Sequence, residues 1–325
     1  MNLSRMLCGA AAGLALACAA HAAHAAWPER NVTIVVPFPP GGASDSSART
    51  ISQKIAEKLG QTVIIDNRPG ANGSIGATMV SKAPADGYTL LVGSIGVFGI
   101  NPVLYKDLAY DPRKDMDLVT VLVRTPNVLV ANPKFPANSV AELVAYLKKN
   151  PDKVSFASSG TGSSDHLTAA LFWQKTGTSG IHIPYKGGGP AITDLIGGNA
   201  DVSFQNLGSV ANHIRAGKLK VLAVTAEKRA PGFPSVPTMA EAGVNGLEVY
   251  SWQAMAAPRG LPRDVAAKLQ QAVTTVLKDP EVVKRYDEMG FEVVANSSAD
   301  FGRFLDAELA RWKGVIDAGK ITQSD

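Results

Sequence analysis

One succession recurs along nearly the whole chain: a short apolar run, a turn rich in Gly, Pro or Ser, then an amphipathic stretch with helical spacing. "NVTIVVPF" reads as a buried strand, and "SSARTISQKIAEKLG" as a helix that brings Ile51, Ile55 and Leu59 onto one face. "TVIIDNRP", "SIGATMVSKA" and "YTLLVGS" continue the pattern, and Ser139 with Glu142 has capping-box spacing ahead of "AELVAYLKKN". Parallel strands need crossover connections, so repeated strand–helix units predict mostly parallel sheets covered by helices on both faces. Two extended segments interrupt the alternation, at 120–133 and 246–260. If both are hinge strands crossing between lobes, the α/β chain divides into lobe I (27–125 plus 250–325) and lobe II (126–249). A cleft then lies between them.

The first residues stand apart from this pattern. Arg5, the apolar "MLCGAAAGLALACAA" and the small residues of "AHAAHAAW" together read as a secretory signal peptide over 1–26, cut near Ala25 or Ala26. A lipoprotein cut at Cys18 is the rival reading, but Ala15 stands where that signal needs leucine. Cys8 and Cys18 are the only cysteines, and both precede the cut, so the exported chain has no thiol and relies on its apolar core. The formal net charge is only +4, from basic residues that are scattered rather than clustered. Aromatics at 6% are too few for a base-stacking platform, so no nucleic-acid partner is expected. A monomer is the expected state.

Where, then, would chemistry sit? In open α/β sheets ligands lie beyond the carboxyl ends of strands, where helix N-termini present free N–H groups and a partial positive charge. The stretch "IVVPFPPGGASDSSARTI" has the parts for such a corner. Pro39 and Pro40 stiffen the strand exit, Gly41 and Gly42 free the backbone, and Ser44 or Asp45 is placed to cap the helix. "SFASSGTGSSDHLTAAL" repeats the arrangement with Gly160, Thr161, Gly162, Ser163, Ser164 and His166. A third candidate is "LLVGSIGVFGINP", where Ser94 offers a polar contact and Phe98 an apolar wall, with Phe38 as a second wall. Two anion-ready corners, one in each lobe, suit a carboxylate gripped between them.

Sequences that mark common enzymes are missing. There is no G-x-S-x-G elbow, no Walker A sequence and no H-E-x-x-H. "GANGSIG" lacks dinucleotide-fingerprint spacing, and His166, His182 and His213 lie far apart without cysteines, so neither a cofactor nor a metal is expected. A hydrolase with Ser163 or Ser164 as nucleophile and His166 as base remains as the alternative class.

Together "WPERNVTIVVPFPPGGASD", "VIIDNRPGANGSIGATMVSKAPADGYTLL", "NPVLY", "SSGTGSSDHL", "IHIPYKGGGPAITDLIGGNADV" and "PTMAEAG" resemble the Bug-type, or tripartite tricarboxylate transporter, extracytoplasmic solute receptors. That resemblance implies a two-lobed periplasmic binding protein of type II-like fold that captures a small organic acid. Its implied partners are the transporter's membrane permease subunits, or a membrane histidine kinase if the receptor is a sensor. It implies that the first corner, Pro40, Gly41, Gly42, Ala43, Ser44 and Asp45, is one grip, acting through backbone amides and waters. Gly160, Thr161, Gly162, Ser163, Ser164 and His166 form the other, with Asn206 beside them. Ser46, Ser47 and Ser164 depart from the family pattern, and the first two are extra hydroxyls within reach of a ligand.

Overall fold

The computed structural model describes residues 27–323, so the expected signal peptide and its expected cleavage positions lie outside the described residues. Ten strands form the frame. They are β1 (Val32–Val36), β2 (Val63–Asn67), β3 (Thr89–Ser94), β4 (Met116–Ala131) and β5 (Ser155–Ser158), followed by β6 (Ile181–Pro184), β7 (Val202–Asn206), β8 (Lys220–Val224), β9 (Tyr250–Pro258) and β10 (Glu292–Val293). The main order is β2-β1-β3-β9-β4-β7-β5-β6, with β8 and β10 also paired to β4. The outer strands are parallel, β1 with β2 and β3, and β5 with β6 and β7. Every antiparallel pairing involves β4 or β9, so the sheet is mixed where the alternation predicted mostly parallel strands. The physical reason is the extended segments. A strand that passes between two halves without a crossover helix enters its second half pointing the other way.

β4 is the clearest case. Its 116–126 part pairs with β9, while 127–131 pairs with β7 and β8. The register against β9 shifts twice, between Leu118 and Thr120 and between Val121 and Val123, which lets so long a strand bend. Beside it, Asn127 N–H donates to the Val249 carbonyl and Val249 N–H to the Thr225 carbonyl, closing the second crossing at the entry to β9.

The helices used below are α1 (Ala43–Leu59), α2 (Ser74–Ser81), α3 (Val140–Lys149), α4 (Ser164–Thr176), α5 (Gly188–Gly197), α6 (Leu207–Arg215), α7 (Arg263–Leu277), α8 (Pro280–Glu288) and α9 (Ser298–Gly319). α1 buries Ile51, Ile55 and Leu59 as its spacing predicts, and stops at Gly60, which takes the left-handed conformation. α3 starts at the Ser139 cap, whose hydroxyl accepts the Glu142 N–H. One core cluster joins α1, α7 and α8 to the β1–β3 side, and another fills the β7–β8 side beneath α5 and α6. The third runs through the crossing itself, with Phe98, Trp252, Phe301 and Trp312 beside Phe172 and Phe204. α9 seals that side: it contacts α4, and Gln174 Nε2 donates to the Val315 carbonyl.

Candidate functional site

On the other side of the crossing a cleft of about 590 Å³ opens between the loops that follow β1, β5, β6 and β7. Its first wall is the β1–α1 turn. Gly41 sits at φ +83°, a conformation that side chains with Cβ disfavour, while Gly42 at φ −78° is the N-cap. No side chain caps this helix, so neither Ser44 nor Asp45 takes the capping role expected of it. Ser44 Oγ donates instead to Gln253 Oε1 on β9. Asp45 turns back from the first turn: its carboxylate accepts the Gly41 N–H at 2.9 Å, the Arg49 Nε–H and the Asn67 amide. Asn67 Nδ2 also donates to the Phe38 carbonyl, so one buried acid and one amide tie down the whole loop. Burial alone would raise the Asp45 carboxyl, but the Arg49 guanidinium, the Gly41 N–H and Asn67 together hold it below the ordinary range.

The second wall is the β5–α4 turn. Here Asp165, 3% exposed, accepts the Ser159 N–H and hydroxyl at 2.6 Å each, with Gln205 Nε2 at 3.3 Å. Burial pushes its carboxyl upward against those hydrogen bonds, because no cation stands beside it. Gly162, at φ +76°, donates its N–H to His166 Nδ1, and its carbonyl accepts from Asn72 Nδ2, a bond between the two sides of the cleft. His166 is itself buried and stacks on His182 with ring centroids 3.8 Å apart. Its role is to hold the loop from behind. Ser163 Oγ accepts the His166 N–H as the cap of α4, and Ser164 Oγ accepts from Asn206.

Two further helix starts complete the lining. α5 begins at Gly187 and α6 at Asn206, and neither has a side-chain cap. Gly42, Ser163, Gly187 and Asn206, the N-caps of α1, α4, α5 and α6, therefore all face one cleft. Helix starts leave orphan N–H groups and a partial positive charge, so four of them make the space favourable for an anion.

Of the residues singled out in the sequence, Phe38, Pro40, Gly41, Gly42, Ala43, Ser44, Ser94, Ser163, Ser164 and Asn206 line the cleft. Phe98 does not: it is fully buried in the crossing core, stacked on Trp252 and edge-on to Phe301. Its strand-end position suggested a wall, but the chain after β3 turns into the core instead. Asp45, His166, Gly160, Thr161 and Gly162 also lie outside the lining; the first two anchor the loops, and Gly160 and Gly162 supply their bends. Ser46 and Ser47 do not reach the cleft either, and Ser47 is buried. Residues missed by the sequence reading are Asn72, Asp165, Lys186, Gln205, His213 and Gln253. "YKGGGP" carried the same signal as the two corners, a strand end followed by glycines, and α5 starts within it.

Fold and cleft together define a solute-binding receptor of the periplasmic binding-protein class. The chain belongs to the tripartite tricarboxylate transporter family of receptors, whose model matches residues 47–321. It is similar to the periplasmic binding protein BugD, at 36% identity, covering 91% of this chain and 99% of that one with a TM-score of 0.85. A protein of R. palustris solved with adipate is 39% identical, covering 91% and 99% of the two chains with a TM-score of 0.88. MatC from Rhodopseudomonas palustris, with bound malate, is 34% identical, covering 89% and 100% with a TM-score of 0.84. The family and these structures are solute-binding proteins. No helix of the described residues is long and apolar enough to cross a membrane.

Proposed function

We propose that this chain is an exported, periplasmic receptor that captures a small organic carboxylate and delivers it to the membrane permease subunits of a tripartite tricarboxylate transporter. The observation that carries the reading is the convergence of four helix N-termini, three without a side-chain cap, on one cleft. Main-chain dipoles grip the carboxylate, and a ligand that touches both sides stabilises the closed form in proportion to its preference for that form. The bound adipate and malate of the two R. palustris structures support a carboxylate as ligand. Within the grip, the amides of 42–44 and of Ser164 are the proposed donors, since the Gly41 and Ser163 N–H groups are taken by Asp45 and the Gly160 carbonyl, and Ser44, Ser94 and Asn206 stand at their edges.

A binding role is favoured over a hydrolytic one by the way the hydroxyls are used. His166 Nδ1 accepts a backbone N–H, and Ser163 Oγ accepts from the His166 backbone, so this pair is not arranged as nucleophile and base. The test is a thermal-shift screen of the purified protein against mono-, di- and tricarboxylates, acidic amino acids and aromatic acids. An acid at a hundred times its dissociation constant adds about 2.7 kcal/mol of stability. A panel that leaves the melting temperature unmoved, or that turns over esters, defeats the proposal.

A further inference from the structure

The two sides of the cleft are joined where the loop between β2 and α2 reaches the β5–α4 turn. Asn72 Nδ2 donates across to the Gly162 carbonyl at 3.0 Å and back to Asn101 Oδ1 at 2.9 Å, so both amide hydrogens are engaged. Asn101, fully buried in the segment after β3, returns the bond. Its own amide donates to the Asn72 carbonyl at 3.0 Å and to Ser74 Oγ at 3.1 Å. One side chain is thus fixed at its base and aimed at a single acceptor on the opposite wall.

The backbone is bent for this task. Gly70, Ala71, Asn72 and Gly73 all have positive φ, at +140°, +46°, +48° and +86°. Asparagine tolerates the left-handed region and alanine does so poorly, so the loop holds a conformation that its surroundings must enforce. The acceptor is equally fixed. Gly162, at φ +76°, has its N–H taken by His166 Nδ1 at 3.2 Å. A Cβ at Gly162 would lie 2.8 Å from Leu104 Cδ2 and 3.2 Å from Asn72 Nδ2, so only glycine lets the turn come this near. Asn72 lines the cleft, whereas Gly162 and Asn101 do not.

We infer that Asn72 is a latch: its bond to Gly162 sets the share of receptor whose cleft is closed, and so scales the affinity for every carboxylate alike. The inference rests on the receptor reading above. A contact made only when the two sides meet adds its free energy to the closed form. The apparent affinity of any ligand that needs that form then changes by the same factor. Ligand enters before the latch bond is made and leaves after it breaks, so the latch acts on dissociation rather than association. The loss of one such hydrogen bond corresponds to about a three- to tenfold change.

Asn72→Gly is the clean test, because glycine takes φ +48° freely while the amide is lost. Stopped-flow binding and calorimetry with adipate and with malate are expected to show both weakened by one common factor, about three- to tenfold, through faster dissociation at an unchanged association rate. Gly162→Ala, outside the lining, should weaken both acids in the same way by wedging the turn away from Leu104. Adding Asn72→Gly to it should cost little more, because one bond can be broken only once. Melting curves report that each variant is folded. Unchanged affinity in Asn72→Gly overturns the latch. Factors that differ between the two acids, a loss confined to association, or losses that simply add in the double variant make Asn72 an ordinary ligand contact and overturn it too. A wild type that binds neither acid counts against the carboxylate reading, and hydrogen exchange of the ligand-free protein then decides the latch. Several-fold faster exchange at amides 163–167 in Asn72→Gly upholds it, and unchanged exchange overturns it.

Discussion

The β1–α1 and β5–α4 turns are built on one plan and charged on two. In each, an aspartate in the first helical turn reaches back to accept an N–H from its own loop, Gly41 for Asp45 and Ser159 for Asp165. Asp45 then meets Arg49, a cation on the next turn of the same helix, whereas Asp165 finds only hydroxyl, amide and backbone donors. The first loop is therefore locked by an ion pair whose charge is spent inside the protein. The second keeps a buried carboxylate at the edge of the cleft. Identical backbone tasks thus leave different electrostatic settings for whatever enters.

Gly42→Val tests the shared plan and has the largest expected effect. A Cβ at Gly42 meets only the Pro39 carbonyl oxygen, at 3.7 Å, and the φ of −78° suits any residue, so the fold survives. The added methyls stand among the amides, and affinity for a carboxylate should fall at least a hundredfold by calorimetry. Unchanged affinity in a folded variant sinks the role of this corner.

The difference between the two acids is sharpened by Asp45→Asn and Asp165→Asn. Asp45→Asn deprives Arg49 and the loop of a charged acceptor, and should cost about 1–3 kcal/mol in urea denaturation at pH 7. Asp165→Asn keeps an acceptor for Ser159 while removing a buried charge. It should leave stability equal or higher and tighten binding of an anionic ligand severalfold.

The pH dependence follows with opposite signs. The Asp45 carboxyl is lowered by folding, so its contribution is present above the ordinary value of 3.8 and disappears as pH falls through its lower folded value. The Asp165 carboxyl is raised, so its contribution is complete below 3.8 and is lost as pH rises through its higher folded value. Urea midpoints from pH 3 to pH 7 should show Asp45→Asn growing more harmful with rising pH and Asp165→Asn growing more beneficial. Parallel profiles would erase the distinction.

His166→Ala is the smallest in its effect on binding. The ring lies behind the loop on His182 and accepts the Gly162 N–H, so its loss should lower the melting temperature and change affinity only a few-fold. A hundredfold loss of affinity without destabilisation would return His166 to the ligand.

Much of this was legible along the chain. The spacing of Ile51, Ile55 and Leu59 placed the buried face of α1, Ser139 with Glu142 placed the start of α3, and paired glycines placed both turns. What could not be read was direction. Phe98, Asp45 and His166 sit beside cleft-lining residues in sequence yet point into the core or the loop, and nothing local separates a wall from a buried ring. Gln253, from β9, and His213, from the far end of α6, reach the cleft only because sheet order and helix orientation bring them there.

The amino-acid order by itself determined the strand–turn–helix alternation and the glycine-bearing turns, because hydrophobic period and backbone freedom are local properties. Only the tertiary structure decided that β4 runs through both halves in antiparallel company, that four helix starts share one cleft, and which acid there has a cation beside it. Those are matters of distance between segments remote in sequence, and electrostatics and packing act across space rather than along the chain.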